Sequence, residues 1–172
     1  YKVIPQITNF GRTDFPDVTL SQLEAAQAVG LDTSEGYIWV YWDERYDEVI
    51  ARLESVDWPF ARIWLDVEET HDTPSISECA AILEQRIAAI RERGMEVGIY
   101  TGEWFWRGYL QNLVGFQHLP LWSANDQDNF GGWTKAVMYQ LGPDHEWSRR
   151  GWESFSLNEE PKEEMDREEV VA

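Results

Sequence analysis

Asp66 and Glu68 stand two residues apart at the end of the run Ile63-Trp64-Leu65-Asp66-Val67-Glu68. The residues before them are apolar, β-branched or aromatic, a strand pattern, and side chains in a strand alternate between faces. The two carboxyls therefore project from one face, about 7 Å apart along the strand. Like charges at that spacing repel, and the repulsion is relieved when one group keeps its proton at a raised pKa. A protonated acid beside an ionised carboxylate is the equipment for cleaving a glycosidic bond. The plainer alternative is a strand that runs out into a solvated acidic loop, Glu69-Thr70-His71-Asp72. Asp66, Glu68, His71 and Asp72 also offer donors to Mg²⁺ or Ca²⁺, but no second ligand cluster supports them. Neither a metal nor a cofactor is expected.

Other chemistries find less support. The glycines between Gly94 and Gly98 lack the spacing of a phosphate-binding loop. Ser123, Ser148 and Ser154 have no nucleophile-elbow context. His118 and His145 have no visible partner, and Cys79 is the single cysteine, which excludes an internal disulfide. Cys79 reads as a small buried residue on a helix face.

The elements that must position the carboxylates alternate in type. Residues 2–7 read as a strand, with Pro5 suggesting an edge. Thr19 and Gln22 give a capping-box signal for a first helix that Gly30 ends. Residues 37–42 form the strongest strand pattern, followed by a helix with Tyr46, Val49, Ile50 and Leu53 at helical spacing. The strand bearing Asp66 comes next. A helix over 75–93 follows, capped by Ser75 and Glu78 and stopped at Gly94. Residues 95–101 are a strand and 103–110 a short aromatic helix, in which Trp104, Phe105 and Trp106 must point in different directions, at least one of them outward. Strands over 119–124 and 136–140 follow, and 152–157 suggests a last one. Strands alternating with helices imply parallel pairing by right-handed crossovers, with functional residues at the carboxyl ends of strands. Asp66 and Glu68 lie at such an end. The domain reading is one barrel over residues 1–157 and an acidic, flexible tail over 158–172.

Of 172 residues, 32 are acidic and 14 basic, a net charge of -18. The tail contributes seven acids against two bases, and the body stays strongly acidic without it. Such a field disfavours nucleic acid and anionic membrane surfaces. No apolar run approaches the ~20 residues of a membrane span. No signal-peptide pattern opens the chain, whose first residue is Tyr1 rather than Met, so an upstream segment is expected. Ten Trp exceed what a core of this size requires, and some are expected to line a groove where flat rings pack on sugars.

These pieces together resemble glycoside hydrolase family 25, the lysozymes that cleave peptidoglycan. Leu65-Asp66-Val67-Glu68 is similar to the family's Asp-x-Glu strand end, and Gly98-Ile99-Tyr100-Thr101 to its next strand. Leu121-Trp122-Ser123-Ala124 resembles the Leu-Trp-x-Ala strand, and Tyr139-Gln140 the later aromatic-Gln strand. All four occur in family order between about Tyr37 and Gln140. The resemblance implies an α/β fold, an irregular (β/α) barrel of TIM-like type with consecutive strands at its C-terminal side. It implies hydrolysis of the β-1,4 bond between N-acetylmuramic acid and N-acetylglucosamine, outside the cell or at a cell wall, by a secreted or phage-encoded protein. Glu68 would be the general acid and Asp66 the stabilising carboxylate that orients the substrate's N-acetyl group. Tyr100, Trp122 and Gln140 would line the sugar cleft, with Trp39 and Tyr41 as further candidates. The chain departs from the family twice. The first strand and its carboxylate have no counterpart, so the barrel is expected to be short of a strand at its N-terminal side, with a partner segment as one way to complete it. Ser156 stands where a C-terminal Asp is expected. The alternative is therefore a degenerate barrel serving as a glycan-binding or structural module, for instance in a phage particle or a cell-wall assembly.

Overall fold

Six strands pair side by side in chain order, the first three each followed by a helix. The computed structural model describes residues 2–7, 15–42, 46–125, 127–141 and 157–159. The elements are α1 (Phe15–Ala28), β1 (Glu35–Trp39), α2 (Tyr46–Val56), β2 (Arg62–Asp66), α3 (Ile76–Glu92), β3 (Glu96–Thr101), α4 (Glu103–Gly108), β4 (Leu121–Ser123), β5 (Met138–Leu141) and β6 (Leu157–Glu159). The sheet order is β1-β2-β3-β4-β5-β6, parallel from β1 to β5, with β6 antiparallel to β5. This is a mixed α/β fold on a largely parallel sheet.

Among the described residues the sheet does not close into a barrel. Residues 2–7, expected as a strand, make only isolated parallel bridges, Lys2 to Asp32 and Gln6 to Tyr37. Pro5 sits between them and has no N–H to donate; its carbonyl accepts from Tyr37 N–H at 3.0 Å. The segment still covers the outer edge of β1, where bare backbone would invite pairing. Of the strand expected over 152–157 only Leu157 is described, at the start of β6; residues 152–156 lie outside the described residues, as do His145, Ser148, Ser154 and Ser156. β6 runs from Leu157 through Asn158 to Glu159, into the stretch expected as tail.

Capping-box signals mark two helix starts in the sequence, and they fare differently. At α3 the box forms as expected: Ser75 Oγ accepts from Glu78 N–H, and Glu78 Oε2 accepts from Ser75 N–H at 3.0 Å. At α1 it does not. The helix begins at Phe15, with Pro16 in its first turn where a missing N–H costs nothing. Thr19 is instead buried inside the helix and donates its hydroxyl to Gln6 O at 3.1 Å, tying α1 to the N-terminal segment.

The sheet separates two cores. Ile38, Leu65, Ile99 and Leu121 are register partners on one face and pack with Leu83, Ile87 and Ile90 of α3 and with Phe105 and Trp106 of α4. The opposite face carries Trp64, Tyr100, Trp122 and Met138, with Ile4, Tyr37 and Ala124 against them. Trp122 is the hub of this aromatic face, its ring centroid 4.6 Å from Tyr100, 5.7 Å from Trp64 and 6.4 Å from Tyr37. Gly98 faces Trp64 across the ladder, and any Cβ there would strike the indole. At the amino ends of the strands this face is sealed by charge. Buried Glu35 accepts from Trp64 Nε1 at 2.6 Å, Lys2 Nζ at 3.2 Å and Arg62 at 3.3 Å, while Arg62 covers the Trp64 ring and pairs with Glu96.

Candidate active site

At the carboxyl ends of the same strands, among the described residues, no Lys or Arg balances Asp66 and Glu68. Asp66 is the last residue of β2, and the backbone stays extended past it. Val40 N–H donates to Asp66 O at 2.8 Å, Val67 N–H to Tyr100 O at 2.9 Å, and Thr101 Oγ1 to Val67 O at 2.8 Å. Val67 is wholly buried on the helix side, so Asp66 and Glu68 share the aromatic face, as their spacing predicts.

Asp66 is only 5% exposed, and its Oδ1 has no hydrogen-bond partner. Glu68 is half-buried, and its Oε1 is likewise buried without one. Among the described residues no Lys or Arg pairs with either carboxyl. Burial, reinforced by the neighbouring Glu68, pushes Asp66 well above the usual carboxylate range. Burial also raises Glu68, offset in part by the Gly102 N–H. Both carboxyls are thus biased toward their protonated forms. Nearby phenols stay protonated: Tyr37 is pushed up to about 12 by burial and by Asp66, and Tyr100 is raised by burial and by Glu68, Asp66 and Tyr37.

Register places Trp39, Asp66, Tyr100, Trp122 and Met138 in one row across five strands. Tyr100 donates its hydroxyl to Gln140 Oε1, bringing Gln140 from β5 to the cluster. Trp122 Nε1–H is buried without an acceptor. The site therefore combines two free carboxylate oxygens with a free indole donor, where most other buried polar side chains among the described residues are satisfied.

Five of the seven predicted residues, Asp66, Glu68, Tyr100, Trp122 and Gln140, come together here. Trp39 stands beside Asp66 in the row, but its indole N–H goes to Glu69 Oε2 at 3.1 Å, so it is a fixed wall. Tyr41 lies past the end of β1, half-buried, its carbonyl accepting from Arg86 of α3. Sequence reading missed Tyr37, Gly102 and the placement of Trp104. A Cβ on Gly102 would lie 2.5 Å from the Trp104 indole and 3.3 Å from Glu68 Oε1, so this glycine lets the indole approach the acid. Trp104 is 51% exposed, whereas Phe105 and Trp106 are buried, which is the division their adjacency requires. Among the described residues no group of His, Cys, Asp or Glu is placed to hold a metal, and His71 pairs with Glu69.

A family model described as lysozyme-like protein 1 matches residues 2–141, most of the chain and the whole of this site. The chain belongs to this lysozyme-like family, of the glycoside hydrolase family 25 type. Among lysozyme-like relatives, Probable GH family 25 lysozyme 3 of Dictyostelium discoideum is 30% identical over 108 residues, covering 56% of this chain and 22% of the relative. Counting factor 50 of the same organism is 27% identical over 139 residues, covering 70% of this chain and 46% of the relative. The chain therefore spans less than half the length of either. In structure it is similar to a muramidase from Trichobolus zukalii, with a TM-score of 0.69 at 15% identity, over 93% of this chain and 80% of that one. No helix among the described residues is long and apolar enough to cross a membrane.

Proposed function

We propose that this chain is a lysozyme-type muramidase domain, cleaving the β-1,4 bond between N-acetylmuramic acid and N-acetylglucosamine of peptidoglycan at a cell wall. The observation that carries the reading is the pair of buried, partnerless carboxylate oxygens on Asp66 and Glu68 beneath an aromatic wall. A structural ion pair would have consumed those oxygens, as Glu35 at the other end of the same face is consumed.

In the proposed reaction the substrate's N-acetyl N–H donates to Asp66 Oδ1. That bond favours the Asp66 anion and leaves the shared proton on Glu68, the outer group. Glu68 then protonates the leaving glycosidic oxygen as the bond from C1 breaks. The N-acetyl carbonyl attacks C1 in place of an enzyme nucleophile, a substrate-assisted variant of the two-carboxylate scheme. Water, deprotonated by Glu68, then opens the intermediate and restores the acid. The aromatic rings of Tyr100 and Trp122 pack against the sugar, the amide of Gln140 fixes a polar group, and Trp39 and Tyr41 border the cleft.

Analysis of reducing ends after digestion of purified peptidoglycan tests the bond assigned. New ends should be N-acetylmuramic acid; N-acetylglucosamine ends would contradict the assignment. One observation favours a second reading, a degenerate glycan-binding or structural module: among the described residues no third acidic group clusters with Asp66 and Glu68 to hold a metal. In that case the folded protein is retained on peptidoglycan and releases no ends.

A further inference from the structure

Glu69 follows the proposed acid directly, yet its surroundings are the reverse of those of Asp66 and Glu68. Its side chain is 13% exposed and fully engaged. Oε2 accepts the Trp39 indole N–H at 3.1 Å, and Oε1 accepts the His71 backbone N–H at 2.8 Å, with His71 Nδ1 also at 2.8 Å. The Glu69 carbonyl accepts Trp42 Nε1–H at 2.7 Å and Thr73 Oγ1 at 3.4 Å. Burial pushes the carboxyl up, but the bonds from His71 and Trp39 outweigh it and hold Glu69 below the usual range. It is an anion by construction.

The contacts join two loops. Trp39 and Trp42 belong to the end of β1 and the chain beyond it, while Glu69, His71 and Thr73 belong to the loop between β2 and α3. Arg86 of α3 grips the first loop from behind through the Tyr41 carbonyl. Glu68 is thus flanked by two fixed residues. Val67 is locked into the sheet by Tyr100 and Thr101, and Glu69 is clamped by two indoles.

We propose that Glu69 is a positioning residue: it clamps the loops after β1 and β2 together through Trp39 and Trp42 and so aims Glu68 into the cleft. Its role in turnover rests on the muramidase reading; its control of the Glu68 environment does not. A displacement of about 1 Å at a reacting group can cost ~100-fold in rate.

The test follows the Glu68 side-chain carboxyl by ¹³C NMR titration, assigned with Glu68→Gln, in wild type, Glu69→Ala, Glu69→Gln and Trp39→Phe. Steady-state hydrolysis of peptidoglycan is measured on the same samples, per folded molecule. Glu69→Ala should displace the Glu68 midpoint and lower kcat by about 10- to 100-fold with KM within about threefold. Glu69→Gln, which keeps one acceptor oxygen, should show a smaller change in the same direction, as should Trp39→Phe. If Glu69→Ala does not fold, the two milder variants decide by the same criterion. An unchanged Glu68 midpoint and unchanged kcat overturn the proposal. If wild type shows no hydrolysis, the muramidase reading fails by itself; a Glu68 midpoint displaced in Trp39→Phe, which keeps the Glu69 charge and removes only the indole bond, still supports the clamp, and one undisplaced there overturns it.

Discussion

Three acids within four residues have two opposite electrostatic fates, Asp66 and Glu68 raised and Glu69 lowered, decided by contacts rather than composition. The i, i+2 rule is enough to place Asp66 and Glu68 on one face from sequence alone, because strand alternation is a property of the backbone. Nothing local distinguishes Glu69 from a solvated loop acid; its partners Trp39 and Trp42 lie about thirty residues upstream. The same holds for Tyr37, whose place beside Trp122 depends on the turn of the whole sheet. The raised carboxyls carry a stability prediction. Folding strengthens proton binding at Asp66 and Glu68, so between their unfolded and folded pKa values the native state holds more protons than the unfolded chain. Stability from this pair is present at acid pH and declines as pH rises through the raised values. Glu68→Gln mimics the protonated acid and should match or exceed the wild-type Tm at pH 7, with the gain vanishing toward pH 4. A large Tm loss at pH 7 would mark Glu68 as a structural group instead.

Elements with strong local signals were legible, and those overruled by tertiary contacts were not. The alternation of strands and helices, the α3 capping box and the parallel order all follow from sequence pattern. Thr19 carries an equally good capping signature, but Pro16 starts α1 one turn earlier and the Thr19 hydroxyl finds Gln6 instead. Residues 2–7 have the composition of a strand, but Pro5 removes a ladder donor and leaves bridges. At the start of α4, Gly102→Ala would set a methyl 2.5 Å from the Trp104 indole and 3.3 Å from Glu68 Oε1, and the displaced acid should lower kcat by about tenfold or more while Tm changes little. Kinetics with a parallel melting curve checks this; unchanged kcat would show that the indole moves aside freely. Ser75→Ala provides the contrast, removing a remote cap worth ~1 kcal/mol, or about 2–4 °C in a chain of this size, without touching activity.

The whole molecule sets a negative field against a demanding substrate. A net charge of -18 repels a polyanionic wall, so at low ionic strength association should be slow and should quicken as salt screens the repulsion. Hydrolysis initial rates below KM, measured from about 10 to 150 mM salt, should rise while kcat stays level; a fall would mean that a basic surface guides binding. The family was legible from four short strand-end motifs in order, since these motifs mark the carboxyl ends that the fold turns into a site. Closure of the sheet was not, because it depends on strands at both edges, where the sequence pattern is weakest. Whether Asp66 and Glu68 form a working acid–carboxylate pair is read from turbidity loss of purified peptidoglycan across pH, wild type against Glu68→Gln. Wild type alone should clear the suspension, with a bell-shaped profile that falls at acid pH as the pair takes a second proton and at higher pH as it loses its last. No clearing by a folded wild type at any pH, or equal clearing by Glu68→Gln, would contradict it.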